Sequence, residues 1–121
     1  MKIVDANVVL RYILGDHEEL SDKSRRIIDD NIVEIPVEVL CEVVFVLSNV
    51  YNVGREKIGL ELLDFFENTE CELYRREGVL KGIEFYSENN LDFVDCMLAG
   101  YKTMYGAEIF TFDKKLLKFI S

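Results

Sequence analysis

The feature that most constrains the fold is an alternation of short apolar runs with longer segments of helical spacing. Because short buried strands that alternate with helices form parallel sheets covered on both faces, this pattern predicts an α/β protein. We expect a three-layer α/β/α sandwich with a short, mostly parallel central sheet. The predicted strands are residues 3–4, 32–35, 71–73 and 108–112.

Seven helical segments separate or follow these strands. The first is predicted to end at Gly15 and the sixth at Gly106, since glycine is common directly after a helix. Asp16 and Glu19 have the spacing of a capping box for the second helix. The third helix is apolar on almost every side, which predicts burial of most of its faces. The predicted helices are residues 8–14, 16–30, 37–51, 55–68, 76–88, 92–105 and 114–119. With no repeat or linker, residues 1–121 are expected to form one domain.

The charge of the chain is strongly unbalanced, with 23 acidic and 14 basic residues and a net charge of −9. Nucleic-acid-binding proteins more often have positive surfaces, because phosphate neutralisation supplies most of their non-specific affinity. An acidic chain can still act on a nucleic acid where clustered acids hold divalent cations, since the bound ions offset the negative charge locally.

The cysteine and histidine content excludes two common kinds of small protein. Cys41, Cys71 and Cys96 are widely spaced and accompanied only by His17, which suits neither a disulfide framework nor a zinc site. Cys41 and Cys96 lie in apolar runs and are expected to be core residues, whereas His17 is expected at the surface. Asp5 lies too early for a signal peptide, and no apolar run is long enough to span a membrane. We therefore expect a soluble, cytoplasmic protein.

Four acidic residues are placed where a functional site would be expected. Asp5 and Asp113 each follow a predicted strand, and open α/β sheets bind ligands beyond the carboxyl ends of their strands. Glu42 and Asp95 interrupt apolar stretches of helices predicted to be buried, where an unpaired carboxylate is costly. Because no basic residue is embedded in the same apolar runs, the acids predict a hard divalent cation bound by oxygen ligands, Mg²⁺ or Mn²⁺.

Each of these acids also has an ordinary structural explanation. Asp5 and Asp113 could cap the helices that follow them, and capping is the favoured role of Asp92. Glu38 lies four residues before Glu42 and could be a second ligand, but it is assigned to the helix start, where glutamate is favourable. The site prediction therefore depends on the joint pattern of acids.

Four segments resemble the sequence blocks of PIN-domain ribonucleases, in the same order along the chain. The first has an aspartate after a strand and a small polar residue two positions later. The second and third each carry an acid within an apolar run, and the fourth ends in Thr-Phe-Asp. The segments are residues 4–12, 35–47, 92–99 and 111–113. In length and blocks the chain is most similar to VapC-type toxins, the ribonuclease halves of toxin–antitoxin pairs.

This resemblance implies a metal-dependent endoribonuclease that hydrolyses RNA phosphodiester bonds with a metal-activated water. The implied catalytic ligands of Mg²⁺, for which Mn²⁺ would substitute, are Asp5, Glu42, Asp95 and Asp113, with Asp92 as an extra candidate. Asn7 and Thr111 would orient ligands or waters. The candidate phosphate contacts are Arg11, Lys102, Lys114 and Lys115. The resemblance also implies a homodimer and a small antitoxin protein as partner.

A second class of magnesium-binding protein shares some of these features. A response-regulator receiver domain has a similar length and an acidic magnesium pocket. It would need an acid pair after the first strand and a phosphoacceptor after the third, where this chain has Tyr74, Arg75 and Arg76. Two alternatives within the same family stay open: a nuclease that processes RNA without being a toxin, and a catalytically silent module that only binds a partner.

Overall fold

A computed structural model describes all 121 residues of the chain. Seven α-helices contain two thirds of them. The helices are Ala6–Leu14 (α1), Glu18–Asp29 (α2), Val37–Asn49 (α3), Arg55–Asn68 (α4), Arg76–Glu88 (α5), Phe93–Tyr105 (α6) and Lys114–Ile120 (α7). All seven predicted helices are confirmed, and their ends differ from the predicted ends by at most two residues.

The backbone at the ends of α1 and α6 follows the prediction. Gly15 and Gly106 adopt the left-handed conformation, with φ angles of 60° and 68°, which glycine reaches without a steric cost. The capping box predicted at Asp16 is wrong. Helix α2 begins after His17 instead, and the His17 Nδ1 atom accepts a hydrogen bond from the backbone N–H of Leu20 at 3.1 Å.

The predicted α/β/α sandwich is wrong, because the chain forms no strand and no central sheet. Three of the four predicted strands are reduced to single residues joined by isolated parallel bridges, Ile3 to Glu34 and Glu34 to Glu72. The first bridge includes a 2.8 Å hydrogen bond from the Glu34 N–H to the Lys2 carbonyl. These apolar runs are short and closely bounded by helices, so that pairing does not extend into a ladder.

The fourth predicted strand, residues 108–112, forms no backbone–backbone hydrogen bond. Its side chains nevertheless alternate as in a strand, because Ile109 packs against the core whereas Phe110 and Phe112 are almost fully exposed. The alternation that favoured a strand therefore reflects an extended segment with one buried and one exposed side. This segment does not pair with a neighbouring strand.

Helices α5 and α6 pack closely because glycines let their backbones approach. A Cβ atom on Gly100 would lie 2.2 Å from the carbonyl oxygen of Gly78, and one on Gly82 would lie 2.8 Å from that of Cys96. Such a contact leaves little room for movement of α6 relative to α5. It therefore positions the acidic residues at the start of α6.

Helix α3 is buried or half-buried on most of its faces, as predicted, but one face is open to solvent. Its buried face consists of Leu40, Val43, Val44 and Leu47. Its exposed face consists of Glu38, Glu42, Phe45 and Asn49. The spacing of these exposed positions is that of one helix face. The carboxylate of Glu42 therefore lies in solvent, and the burial cost expected for this acid is absent.

The three cysteines are free thiols. Cys96 and Cys71 are buried, whereas Cys41, predicted to be a core residue, is half-buried. Burial raises the pKa of the Cys96 thiol to about 12. No helix combines the length and the apolar character needed to cross a membrane.

Candidate functional site

Three helices begin directly after an aspartate, and the three aspartates differ in what they bind. The Oδ1 atom of Asp5 accepts a hydrogen bond from the N–H of Val8 at 3.2 Å, and that of Asp113 accepts one from the N–H of Leu116 at 2.8 Å. These two residues therefore cap α1 and α7. Asp92 precedes α6 but makes no cap hydrogen bond, so the capping role favoured for it is wrong.

Asp95 lies in the first turn of α6 and is half-buried. Burial raises the pKa of its carboxyl, and the negative charges of Asp92 and Asp113 raise it further. These effects require the start of α6 and the start of α7 to be close together. We call Asp92, Asp95 and Asp113 the aspartate cluster.

Glu42 lines an open cleft of about 420 Å³ between α3 and the start of α6. Asp92 lines the same cleft from the α6 side, and the exposed ring of Phe45 lies beside Glu42 on α3. Glu42 and one member of the aspartate cluster, Asp92, thus line the same cleft, whereas Asp95 and Asp113 do not line it. Asp5 is at the start of α1 and is not among the acids that raise the pKa of Asp95.

The five candidate acids suit a hard divalent cation by their chemistry. None of them takes part in an ion pair, so no lysine or arginine neutralises them. Carboxylate oxygens of this kind are the ligands that Mg²⁺ and Mn²⁺ prefer. In this structure, however, no three acidic, histidine or cysteine side chains are placed to hold one ion together. Binding of one ion by three of these acids would require side-chain positions other than those in this structure.

Sequence reasoning missed Arg55, which holds the loop before Asp92. Its Nη1 atom donates to the carbonyl oxygens of Asn89 at 2.6 Å and Leu91 at 2.7 Å, and more weakly to that of Tyr86 at 3.2 Å. The guanidinium also lies 4.0 Å from the centroid of the Tyr86 ring. The available signal was an arginine at the first position of a helix, where a positive charge opposes the helix dipole.

The two predicted orienting residues lie in different surroundings. Thr111 is next to the aspartate cluster, and its Oγ1 atom accepts a hydrogen bond from the N–H of Asp113 at 3.1 Å. This bond fixes the backbone where α7 begins. Asn7 is exposed in the first turn of α1.

The predicted phosphate contacts also separate into two groups. The Nη1 atom of Arg11 lies 2.6 Å from Oδ1 of Asp16, so this guanidinium is already engaged. Lys102, Lys114 and Lys115 are exposed and belong to no ion pair. These three ammonium groups are available to an anionic ligand.

Comparison with protein-family models identifies the family of this chain. The family model described as PIN domain matches residues 2–119, which is almost the whole chain. Comparisons with curated proteins and with solved structures give no match.

Proposed function

This chain belongs to the PIN-domain family, whose members are generally nucleases, and on that premise we propose that it is a magnesium-dependent endoribonuclease. The reaction would be hydrolysis of RNA phosphodiester bonds. The observation that carries the proposal is the aspartate cluster, in which Asp92 and Asp113 lie near enough to Asp95 to raise the pKa of its carboxyl and none of the three carboxylates forms an ion pair.

The proposed ligands of Mg²⁺, or of Mn²⁺ in its place, are Asp5, Glu42, Asp95 and Asp113, with Asp92 as a further ligand. Asp92 is favoured by its exposed carboxylate, which caps no helix. A divalent cation at this surface would lower the pKa of an attacking water and offset negative charge on the phosphate.

The protein's own groups determine how the ligands are presented. Asp5 and Asp113 each use Oδ1 in a cap hydrogen bond, which restricts the rotation of the carboxylate and leaves Oδ2 for another partner. Asp95 holds its proton to a higher pH than an ordinary aspartate, because it is partly buried beside two other acids. Cleavage should therefore fall at acidic pH as Asp95 becomes protonated, since metal ligands must be ionised.

A cleavage assay on a labelled single-stranded RNA tests the proposal. Cleavage should require Mg²⁺ or Mn²⁺, stop on addition of EDTA, and be lost in Asp5→Asn, Glu42→Gln, Asp95→Asn and Asp113→Asn. Glu38→Gln is the matched control on the same face of α3 and should cleave almost normally. Products should carry a 5′-phosphate. A 2′,3′-cyclic phosphate would show attack by the ribose hydroxyl and exclude the proposed water mechanism, and no cleavage at all would favour a catalytically silent module.

We further propose that the protein is the toxin of a toxin–antitoxin pair, as the resemblance to VapC-type proteins implies. The antitoxin would be a small protein with a basic inhibitory segment. An arginine of that segment could form bidentate hydrogen bonds with the unneutralised carboxylates. The net charge of −9 would speed its association at low salt.

Co-expression with the adjacent reading frame, followed by pull-down, tests this role. The complex should weaken as salt rises, and Mn²⁺ should compete with it. A complex unaffected by Mn²⁺ and by Asp95→Asn would place the partner elsewhere on the protein. Active cleavage without any partner would favour an RNA-processing nuclease.

A homodimer is part of the same proposal. Phe110 and Phe112 are almost fully exposed, and large exposed apolar side chains next to each other commonly belong to an interface. Sedimentation equilibrium should give twice the chain mass of 14.1 kDa. A monomer at micromolar concentration would contradict the proposed dimer without affecting the proposed metal site.

A further inference from the structure

The basic side chains of this acidic protein are mostly engaged by other groups. Of the 14 lysines and arginines, four belong to ion pairs. Four more donate to carbonyl or amide oxygens or lie over an aromatic ring. The six that have no side-chain partner are Arg26, Lys57, Lys102, Lys114, Lys115 and Lys118.

Four of these six lie together on two neighbouring elements. Lys102 is near the end of α6, and Lys114, Lys115 and Lys118 are on α7. Contacts join α6 to α7. We call these four residues the basic surface. Lys118 is not among the phosphate contacts predicted from the sequence, because one lysine near the end of a chain has no distinguishing pattern.

The basic surface contains two adjoining clefts. Lys115 and Lys118 line an open cleft of about 370 Å³, together with Asn90 of the loop between α5 and α6. Lys102 lines a second cleft of about 350 Å³. Phe119 borders both of them, so the ammonium groups flank one continuous surface.

This surface lies directly beside the aspartate cluster. Lys114 follows Asp113 in the chain, and Leu91, which lines the 370 Å³ cleft, immediately precedes Asp92. The two chain segments that border the cleft, the loop before α6 and the start of α7, are therefore each continuous with an aspartate of the cluster. A polyanion approaching this protein meets net repulsion elsewhere, because the chain has a net charge of −9.

We propose that the basic surface binds the ribose–phosphate backbone of RNA and leads it to the aspartate cluster. The inference is based on the proposed nuclease function and names the part of the protein that attracts the substrate. Lys115 and Lys118 contact phosphates within the cleft, and Lys102 and Lys114 contact phosphates on either side of it. The amide of Asn90, which is exposed at the rim, donates to the backbone oxygens. Such contacts supply affinity without sequence preference.

Fluorescence anisotropy with a labelled single-stranded RNA, measured in EDTA, tests the proposal independently of cleavage. The variant is Lys115→Gln combined with Lys118→Gln. Its matched control is Arg26→Gln combined with Lys57→Gln, which removes the same charge from two other side chains that have no partner. Thermal unfolding of both variants should match that of the parent protein, since all four side chains are exposed.

The RNA affinity of the cleft variant should fall at least ten-fold at low salt, whereas that of the control should change less than two-fold. The slope of log K against log salt should decrease in magnitude by about 1.4 in the cleft variant, because each phosphate contact with single-stranded RNA contributes about 0.7. A Lys115→Arg and Lys118→Arg variant should retain the parent slope.

Equal loss of affinity in the cleft variant and the control would overturn the proposal, as would a parent protein that does not bind RNA in EDTA. Tight binding of a poly-glutamate peptide with the same dependence on both lysines, and no binding of RNA, would assign the surface to an acidic protein partner and also overturn it. These outcomes are separate from the metal and cleavage assays. If the basic surface does not bind RNA, the proposed nuclease function is still tested separately by the metal and cleavage assays.

Discussion

Arg55 and Leu91 are joined by a 2.7 Å hydrogen bond from the guanidinium Nη1 to the backbone carbonyl oxygen. The same nitrogen donates to the carbonyl of Asn89 at 2.6 Å. Because Nη1 has only two hydrogens, the longer bond to Tyr86 shares one of them. One side chain at the start of α4 thus holds the loop that leads to Asp92.

Removal of this guanidinium should loosen that loop. Arg55→Gln should lower the free energy of unfolding by about 2 kcal/mol, because part-buried carbonyls lose a charged donor. Arg55→Lys should lower the free energy of unfolding by less, since an ammonium can still reach one carbonyl and the Tyr86 ring. Urea unfolding measures both effects. Lys57→Gln, two residues away and without a side-chain partner, is the control. Equal losses of unfolding free energy at the two positions would show that the hydrogen bonds of Arg55 do not hold the loop.

Divalent metal should stabilise the folded protein. Saturating Mn²⁺ or Mg²⁺ should raise the melting temperature by several degrees, because an ion that binds only the folded state stabilises it by mass action. Asp95→Asn should remove most of this rise, and Glu38→Gln should retain it. Differential scanning fluorimetry in EDTA and in millimolar Mn²⁺ gives the comparison. An unchanged melting curve of the parent protein would rule out the proposed metal site.

Asp95 should make the metal-free protein less stable as the pH rises. Its folded-state pKa lies above the ordinary value of 3.8, so the folded protein keeps this proton where the unfolded chain has lost it. The contribution of this carboxyl to the free energy of unfolding is therefore fully present below pH 3.8. It is lost as the pH rises through the folded-state pKa.

Asp95→Asn should accordingly raise the melting temperature in EDTA at pH 7 by about 2 °C, a small gain because solvent screens a partly buried carboxyl. The gain should shrink towards pH 3.5. Thermal unfolding across this range, with Glu42→Gln as an exposed control, measures the difference. A gain in Asp95→Asn that is independent of pH would show that repulsion among the acids is not its cause.

The contact of α5 with α6 should not tolerate a methyl group. A Cβ on Gly100 would lie 2.2 Å from the carbonyl oxygen of Gly78 and 2.8 Å from the nitrogen of Gly82. Gly100→Ala must therefore separate the helices, at a cost of about 3 kcal/mol. Gly54→Ala, where nothing lies within 4 Å of the added Cβ, should cost less than about 1 kcal/mol. Urea unfolding with matched m-values tests both, and equal stability of the two variants would contradict the close packing.

The candidate acids could be identified from the sequence, whereas their individual roles could not. Their order and spacing indicated the family that matches residues 2–119. For Asp5 and Asp113 the sequence left open whether they cap helices, and both do. Asp92 was favoured as a cap and makes no cap hydrogen bond. A cap depends on where one carboxylate points relative to the first turn, and residue type alone does not determine that direction.

The sequence by itself determined the seven helices, because helical periodicity and glycine termini act over a few neighbouring residues. Only the tertiary structure decided whether the extended runs would pair into a sheet, which face of α3 would meet solvent, and which groups Arg11 and Arg55 would bind. These outcomes depend on segments far apart in the chain. Local pattern specifies how a segment can fold, but the position of its neighbours in space decides what it pairs with and which side chains stay free.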